Sequence, residues 1–326
     1  MNFLSAWFFM MVALVGVSLL HLTFGASWVF SGADSWSPQE QLIFWEIRLP
    51  RLFTALSVGA GLGVAGVALQ ALFRNPLAEP GLIGVSAGSA FGAVFVMVLG
   101  SLLWHEITWW QIGAAAFVSG LLTIGVLYAI ATRNGRTDVA LMLLAGVAFN
   151  ALFGASTQFL MTLSDALQLQ TVTFWLMGSL ANLSWQSVML LMFVSLVALM
   201  GLLTQLKPMN AFVLGEETCL HMGYDPRSFK WRVMIFSALI VAGSVAAVGV
   251  IGFVGLVVPH IVRLWIGADH RAVLPVSALG GAFLLVTADL FARQLLAPVE
   301  LPIGLLMAML GGPFFLWLLL QSRRSV

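Results

Sequence analysis

Apolar residues in this chain come in long unbroken runs rather than in alternation. Stretches such as 4–25, 188–206 and 303–321 hold about the ~20 residues that cross a hydrocarbon core, and none carries Asp, Glu, Lys or Arg. Charge and Pro/Gly clusters divide the chain into helical spans near 4–25, 51–73, 82–103, 109–132, 139–161, 188–206, 232–250, 253–267, 272–295 and 303–321, ten in all. The runs are too long, and period-2 alternation too scarce, for barrel strands. The run 253–267 is short for a full crossing and contains Pro259 and His260. It is expected to be a half-helix packed inside protein, where broken backbone is tolerated.

Composition turns this pattern into a class. Only 8% of residues are charged and 61% are hydrophobic, whereas soluble domains average about 25% charged residues. The expectation is an all-α integral membrane protein, one polytopic domain over 1–326, with no separate soluble catalytic domain. The opening segment is read as the first span: it lacks a basic n-region, and its apolar run is too long for a secretory leader. With a cytoplasmic N-terminus, eleven of the fourteen Lys and Arg fall inside and only Arg48, Arg51 and Arg293 outside. That bias places both termini in the cytoplasm. A net charge of +1 points to neither nucleic acid nor an acidic substrate. The lone Cys219 excludes an internal disulfide.

Candidate chemistry is sparse. Gly61, Gly63 and Gly66 match G-x-G-x-x-G, but inside a membrane helix with no strand before it, so together with Gly59 they are read as a packing surface. His21, His105, His221, His260 and His270 show no metal-ligand spacing, and no metal or cofactor is implied. The phosphate-binding G-x-x-x-x-G-K-[ST] is absent, so a partner must supply any energy. The longest polar interval, about 207–232, contains a short amphipathic helix. Leu214, Leu220 and Met222 lie amid Glu216, Glu217 and His221, bracketed by Gly215 and Gly223. Such a helix can dock into another protein's groove, or it can be a solvated connector. Asp289 and Arg293 share a helix face and can neutralise one another. Arg48 and Arg51, with Arg293, are expected to form a sparse outward positive patch for an incoming protein's carboxylates. Between two apolar spans, "RNPLAEPGLIG" at 74–84 reads as a stiff inward turn. Pro76 and Pro80 remove donors and push Asn75 and Glu79 from helical angles, while Gly81 and Gly84 allow close backbone approach.

These residues resemble the permease subunits of type II ATP-binding-cassette importers, which serve haem, ferric siderophores and cobalamin. The resemblance spans nearly the whole chain: "RLPR" at 48–51, "LQALFRNPLAEPGLIGVSAG" at 69–88, "LLAGVAFNA" at 143–151, "FWLMGSL" at 174–180, "LGEE" at 214–217, "IGFVGLVVPHIVRLWIGADHR" at 251–271, "ADLFAR" at 288–293 and "ELPIG" at 300–304. It implies a homodimer of ten-helix subunits in the bacterial inner membrane, with a path at the interface lined largely by the fifth span. Two cytoplasmic ATPase subunits and a periplasmic binding protein are the implied partners. Arg48, Arg51 and Arg293 match residues that meet carboxylates of the binding protein. The loop 210–223, with Leu214, Gly215, Glu216, Glu217, Leu220 and Gly223, matches the element seated on the ATPase. Thr137, Asp138, Val139 and Ala140 match the cytoplasmic gate.

The stretches "RNGRTDVALMLLAGVAFNA" and "TVTFWLMGSL" look most like haem permeases, while "ALFRNPLAEPG" and "PMN" also look like cobalamin permeases. Gln170 stands where haem relatives often carry an Arg. A ferric siderophore is the third substrate class. A secondary transporter driven by an ion gradient is the rival from another class; it calls for ionisable residues at the bilayer midplane, and the spans are nearly bare of them. A purely structural scaffold leaves the amphipathic helix without a purpose.

Overall fold

The computed structural model describes residues 3–24, 37–100, 106–133, 136–181 and 183–322. His105, Arg323 and Arg324 lie outside the described residues, as does the side chain of Arg136. The described residues are mostly helical. In order the chain forms α1 (Phe3–Thr23), α2 (Pro38–Leu42), α3 (Leu49–Phe73), α4 (Val85–Leu99), α5 (Trp109–Ala131), α6 (Val139–Thr162) and α7 (Ala166–Leu176). Then follow α8 (Trp185–Leu203), α9 (Leu206–Val213), α10 (Glu216–His221), α11 (Pro226–Val248), α12 (Val254–Ile266), α13 (His270–Gln294) and α14 (Ile303–Ser322). A π-helical turn at Ile43–Arg48 joins α2 to α3. Thr132–Arg133 pairs antiparallel with Arg136–Thr137 in a minimal hairpin before α6.

Each expected span has a helix, and among the described residues eight segments are long and apolar enough to cross a membrane. The other two, α4 and α12, have 15 and 13 residues. Several elements were not expected, among them α2 with its π-helical turn, the hairpin, α7 and α9. Asp165 caps α7 by accepting from Gln168 N at 2.7 Å. A stop follows at Gly178, whose φ is +74°.

The centre of the subunit is α3, buried along most of its length and packed chiefly on α13, α11 and α12. Its glycines make this possible. A Cβ on Gly59 would stand 2.3 Å from Gly281 O, one on Gly63 2.4 Å from Ser277 O, and one on Gly66 2.0 Å from Gly255 O. Backbones therefore touch directly along one seam, as small residues permit in membrane helices. The G-x-G-x-x-G stretch is a packing surface, as its context indicated.

α12 is a half-helix, as expected, preceded by non-helical backbone. α11 ends at Gly249 with φ +75°, and Phe253 caps α12 at φ +68°. The exposed polar backbone is met by distant segments. Ser179 N donates to Val248 O at 2.8 Å, Ile303 N donates to Gly178 O at 3.1 Å, and the Glu79 carboxylate accepts from Phe253 N.

The 74–84 corner is held from several sides. Arg74 ends α3 in the left-handed region at φ +47°, Asn75 Oδ1 accepts from Leu77 N at 2.9 Å, and Pro80–Ile83 form one 3-10 turn closed by Gly84 at φ +79°. Pro76 is exposed on its outer side, whereas Pro80 is buried beside Gly255. Gln70 Nε2 donates to Ala78 O and to Gly255 O, both at 3.2 Å, and Arg263 donates to Gln70 Oε1. The expected close approach at Gly81 is not there, since a Cβ on Gly81 meets nothing within 4 Å. Its carbonyl matters instead, accepting from Asn150 Nδ2 of α6 at 3.1 Å. The tight approach is at Gly146 of α6, where a Cβ would lie 2.4 Å from Leu82 O.

Candidate coupling site and gate

At the end of the molecule where α9, α10 and the start of α11 gather, the expected short helix is present. Gly215 at φ +130° opens α10 and Gly223 at φ +84° follows it, positions that favour glycine. Cys219 points inward and is fully buried; burial, then the nearby Glu216 carboxylate, pushes its thiol above the usual range. The outward side carries Glu217 with Leu214, Leu220 and Met222, which are 69%, 58% and 54% exposed. Three large apolar side chains turned out around a charged helix form a patch left more than half exposed by the described residues.

The base of α10 is anchored. Asn210 Nδ2 donates to Asp269 Oδ1 at 2.7 Å, and Asn210 Oδ1 accepts from His270 N at 3.0 Å, which fastens α9 to the start of α13. Arg74 Nε donates to Phe212 O at 2.9 Å while its guanidinium lies 4.5 Å from the centre of the Phe212 ring. Asp225 caps α11, accepting from Arg227 N and Ser228 N, both at 3.1 Å. Bonds from Ser228, then from Arg227, hold its carboxyl below the usual range.

Lys230, one turn into α11, is 3% exposed. Its Nζ donates to Thr137 O at 2.8 Å and lies 2.7 Å from Glu216 Oε1. This ammonium joins two sets of residues that the sequence kept apart, the short helix and the stretch 137–140. Thr137 is buried and pairs through its hydroxyl with Thr132 at 3.0 Å. Asp138 caps α6 by accepting from Ala140 N at 2.8 Å and Leu141 N at 3.1 Å. Val139 and Ala140 form the first turn of α6. Sequence reasoning counted Lys230 only as an inside charge, and no spacing rule connects it to residue 137.

At the opposite end, the arginines expected to form an outward positive patch are turned into the subunit. Arg48 and Arg51 are 4% and 7% exposed. Arg51 holds Asp289 bidentately, with Nε and Nη2 each at 2.8 Å, and its Nη1 reaches Glu300 Oε2 at 2.9 Å. Arg48 donates to Leu22 O at 2.5 Å, and Arg293 Nη2 donates to His21 O at 3.1 Å. Asp289 is fully buried and also meets His21 Nε2 at 2.8 Å, whereas its expected partner Arg293 stands at 3.6 Å. The physical reason is that a buried carboxylate takes the planar bidentate fork in preference to a neighbour one helical turn away. The cluster ties α1, α3 and α13 together, and its most exposed member is Glu300, at 46%.

Among the described residues, the two charged clusters hold helices and turns of the subunit together. Known proteins share this architecture. The chain matches the FecCD transport family over residues 4–321. It is 43% identical to the hemin transport system permease protein HmuU of Yersinia pestis, covering 94% of this chain and 90% of that one. It is 42% identical to the vitamin B12 import system permease protein BtuC of Vibrio cholerae, covering 95% and 92%. Among solved structures, one described as an inward-facing conformation of a metal-chelate type ABC transporter superposes with a TM-score of 0.87 at 32% identity, covering 97% of this chain and 98% of that one. With its buried glycine seam, half-helix and helical polytopic fold matched end to end, the chain belongs to the FecCD family of ABC importer permeases, which are not themselves enzymes and leave ATP hydrolysis to partner subunits.

Proposed function

We propose that this chain is the permease of a haem importer of the bacterial inner membrane, acting as a homodimer with two ATPase subunits inside and a binding protein outside. The carrying observation is the 43% identity to a hemin permease over 94% of the chain. A cobalamin importer is the second reading, favoured by the 42% identity to a vitamin B12 permease. Both cargoes are bulky metal macrocycles, so the shared expectation is a wide path. In this reading α4 and α12 join the eight longer segments to give ten crossings, both termini are cytoplasmic, and α10 faces the ATPase.

The outward Leu214, Leu220 and Met222 support that contact, since they leave apolar surface for a partner to cover. α6 is the least buried of the eight long segments, and it exposes Gly154, Ala155 and Gln158, small or polar groups better suited to a second subunit and a path than to lipid tails. ATP binding closes the ATPase pair, α10 moves with it, and the start of α6 opens or closes. On the outer side Arg51 is already held by Glu300. Docking through Arg48, Arg51 and Arg293 therefore requires an incoming carboxylate to displace Glu300.

Reconstitution with the cognate ATPase and binding protein tests this. ATP-dependent uptake of haem, with cobalamin and a siderophore panel at background, is the expected result. Uptake of cobalamin alone selects the second reading, and accumulation on a proton or sodium gradient without the ATPase overturns both. Replacing Leu214 and Leu220 by Glu should abolish co-purification of the ATPase while the permease stays in the membrane.

A further inference from the structure

The site described above leaves one question of force transmission. A moving α10 must act on the start of α6, yet the two elements are separate in sequence and each is short. The Lys230 ammonium sits between them, 2.7 Å from Glu216 in the first turn of α10 and 2.8 Å from the main-chain oxygen of Thr137, one residue before the α6 cap. We propose that Lys230 is the positioning residue that ties the ATPase-facing helix to the gate, an inference that rests on the reading of α10 and residues 137–140 given above.

Three features argue for a tie rather than simple neutralisation of Glu216. The Glu216 side chain is 44% exposed, so water already serves it, whereas the Lys230 side chain is 4% exposed. A lysine drawn inside gives up hydration that only strong partners replace. Its second partner is backbone, so a pull on Nζ acts on the chain that enters α6 rather than on a side chain free to turn. The stem also runs past a fixed point. The Phe212 ring centre lies 5.8 Å from Nζ and packs against Phe229 in a tilted arrangement at 4.7 Å between ring centres, and Phe212 is bonded through its carbonyl to Arg74 at the end of α3. α3 belongs to the glycine seam, where backbones already touch. Displacing α10 while Phe212 stays in place must therefore stretch the Glu216–Lys230–Thr137 link or carry the hairpin along.

The test uses the full transporter in liposomes, with substrate uptake and ATP hydrolysis measured on the same preparation. Lys230→Met keeps the length of the stem and removes the ammonium. The expected result is a fall of about five-fold or more in substrate moved per ATP hydrolysed, with much of the ratio restored by Lys230→Arg. A purely structural lysine would lower the amount of assembled protein without changing that ratio. Should Lys230→Met fail to accumulate, Glu216→Gln cuts the same link from its half-exposed end and must lower the ratio too. A wild-type ratio in Lys230→Met, or in Glu216→Gln where the first is unobtainable, overturns the proposal. ATPase co-purification that survives Leu214→Glu with Leu220→Glu would instead remove the coupling-face reading, an outcome independent of the ratio.

Discussion

The buried charge cluster on Asp289 makes a prediction whose size follows from geometry. Asp289 is fully buried and receives two bonds from Arg51 and one from His21, with Arg293 nearby. Asp289→Asn keeps the volume and removes the negative charge. Arg51 is then left with Glu300 as its carboxylate partner among the described residues. Breaking a buried ion pair from one side costs ~3–5 kcal/mol. For a chain of this size each kcal/mol moves the unfolding midpoint by about 2–4 °C, so the loss is on the order of 10 °C. Glu300→Gln is the internal control: its carboxylate is 46% exposed, and an exposed pair contributes only ~0–1 kcal/mol. The assay is the fraction of detergent-solubilised protein still monodisperse after stepwise heating. The double replacement Asp289→Leu with Arg51→Met should recover much of the single-mutant loss, because neither charge is left alone. Equal midpoints for Asp289→Asn and Glu300→Gln would refute the reasoning, as would a double variant worse than the two single variants added together.

Two further outcomes are expected. Gly66→Ala puts a methyl 2.0 Å from Gly255 O, so α12 must retreat by about 1 Å to reach ordinary C···O contact, and membrane abundance should drop sharply, whereas Gly81→Ala, with nothing within 4 Å, should accumulate like wild type; similar abundance for both would count against the seam. If an incoming carboxylate competes with Glu300 for Arg51, then Glu300→Gln should tighten binding-protein capture by about two- to five-fold at low ionic strength, and unchanged or weaker capture in a surface-binding assay would remove that role from Arg51.

Much of this architecture was legible because single residues carried it locally. Runs of apolar residues located the helices, Gly59, Gly63 and Gly66 marked where two backbones meet, and Gly215 and Gly223 bounded α10. Pro259 and the shortness of the 253–267 run announced the half-helix α12. What sequence could not supply was partnership at a distance. Arg51 and Asp289 are 238 residues apart, so an arginine at a span's outer end looked free when it was already held. Charge bias gives the side of the membrane on which a residue lies, not the direction in which its side chain turns. Lys230 was hidden for the same reason, being one positive charge among many until Thr137 O was found beside it. The helices α7 and α9 were missed because 11 and 8 residues of mixed character fall below the length at which periodicity is distinctive.

The interruption between α11 and α12 bears on how such a chain can be made. Val250, at that interruption, lines a cavity of about 70 Å³ together with Leu62, midway along α3. The interruption's partners come from two other places in the polypeptide: the carboxylate of Glu79, and the peptide at Gly178–Ser179, which Ile303 N in turn holds through Gly178 O. A nascent chain halted before residue 303 leaves Gly178 O without its donor in a setting where water is scarce. Insertion and maturation are therefore separate events. Helices can enter the bilayer one by one as they leave the ribosome, but this part of the interior closes only once residue 303 has been made, and α14 acts as the bolt.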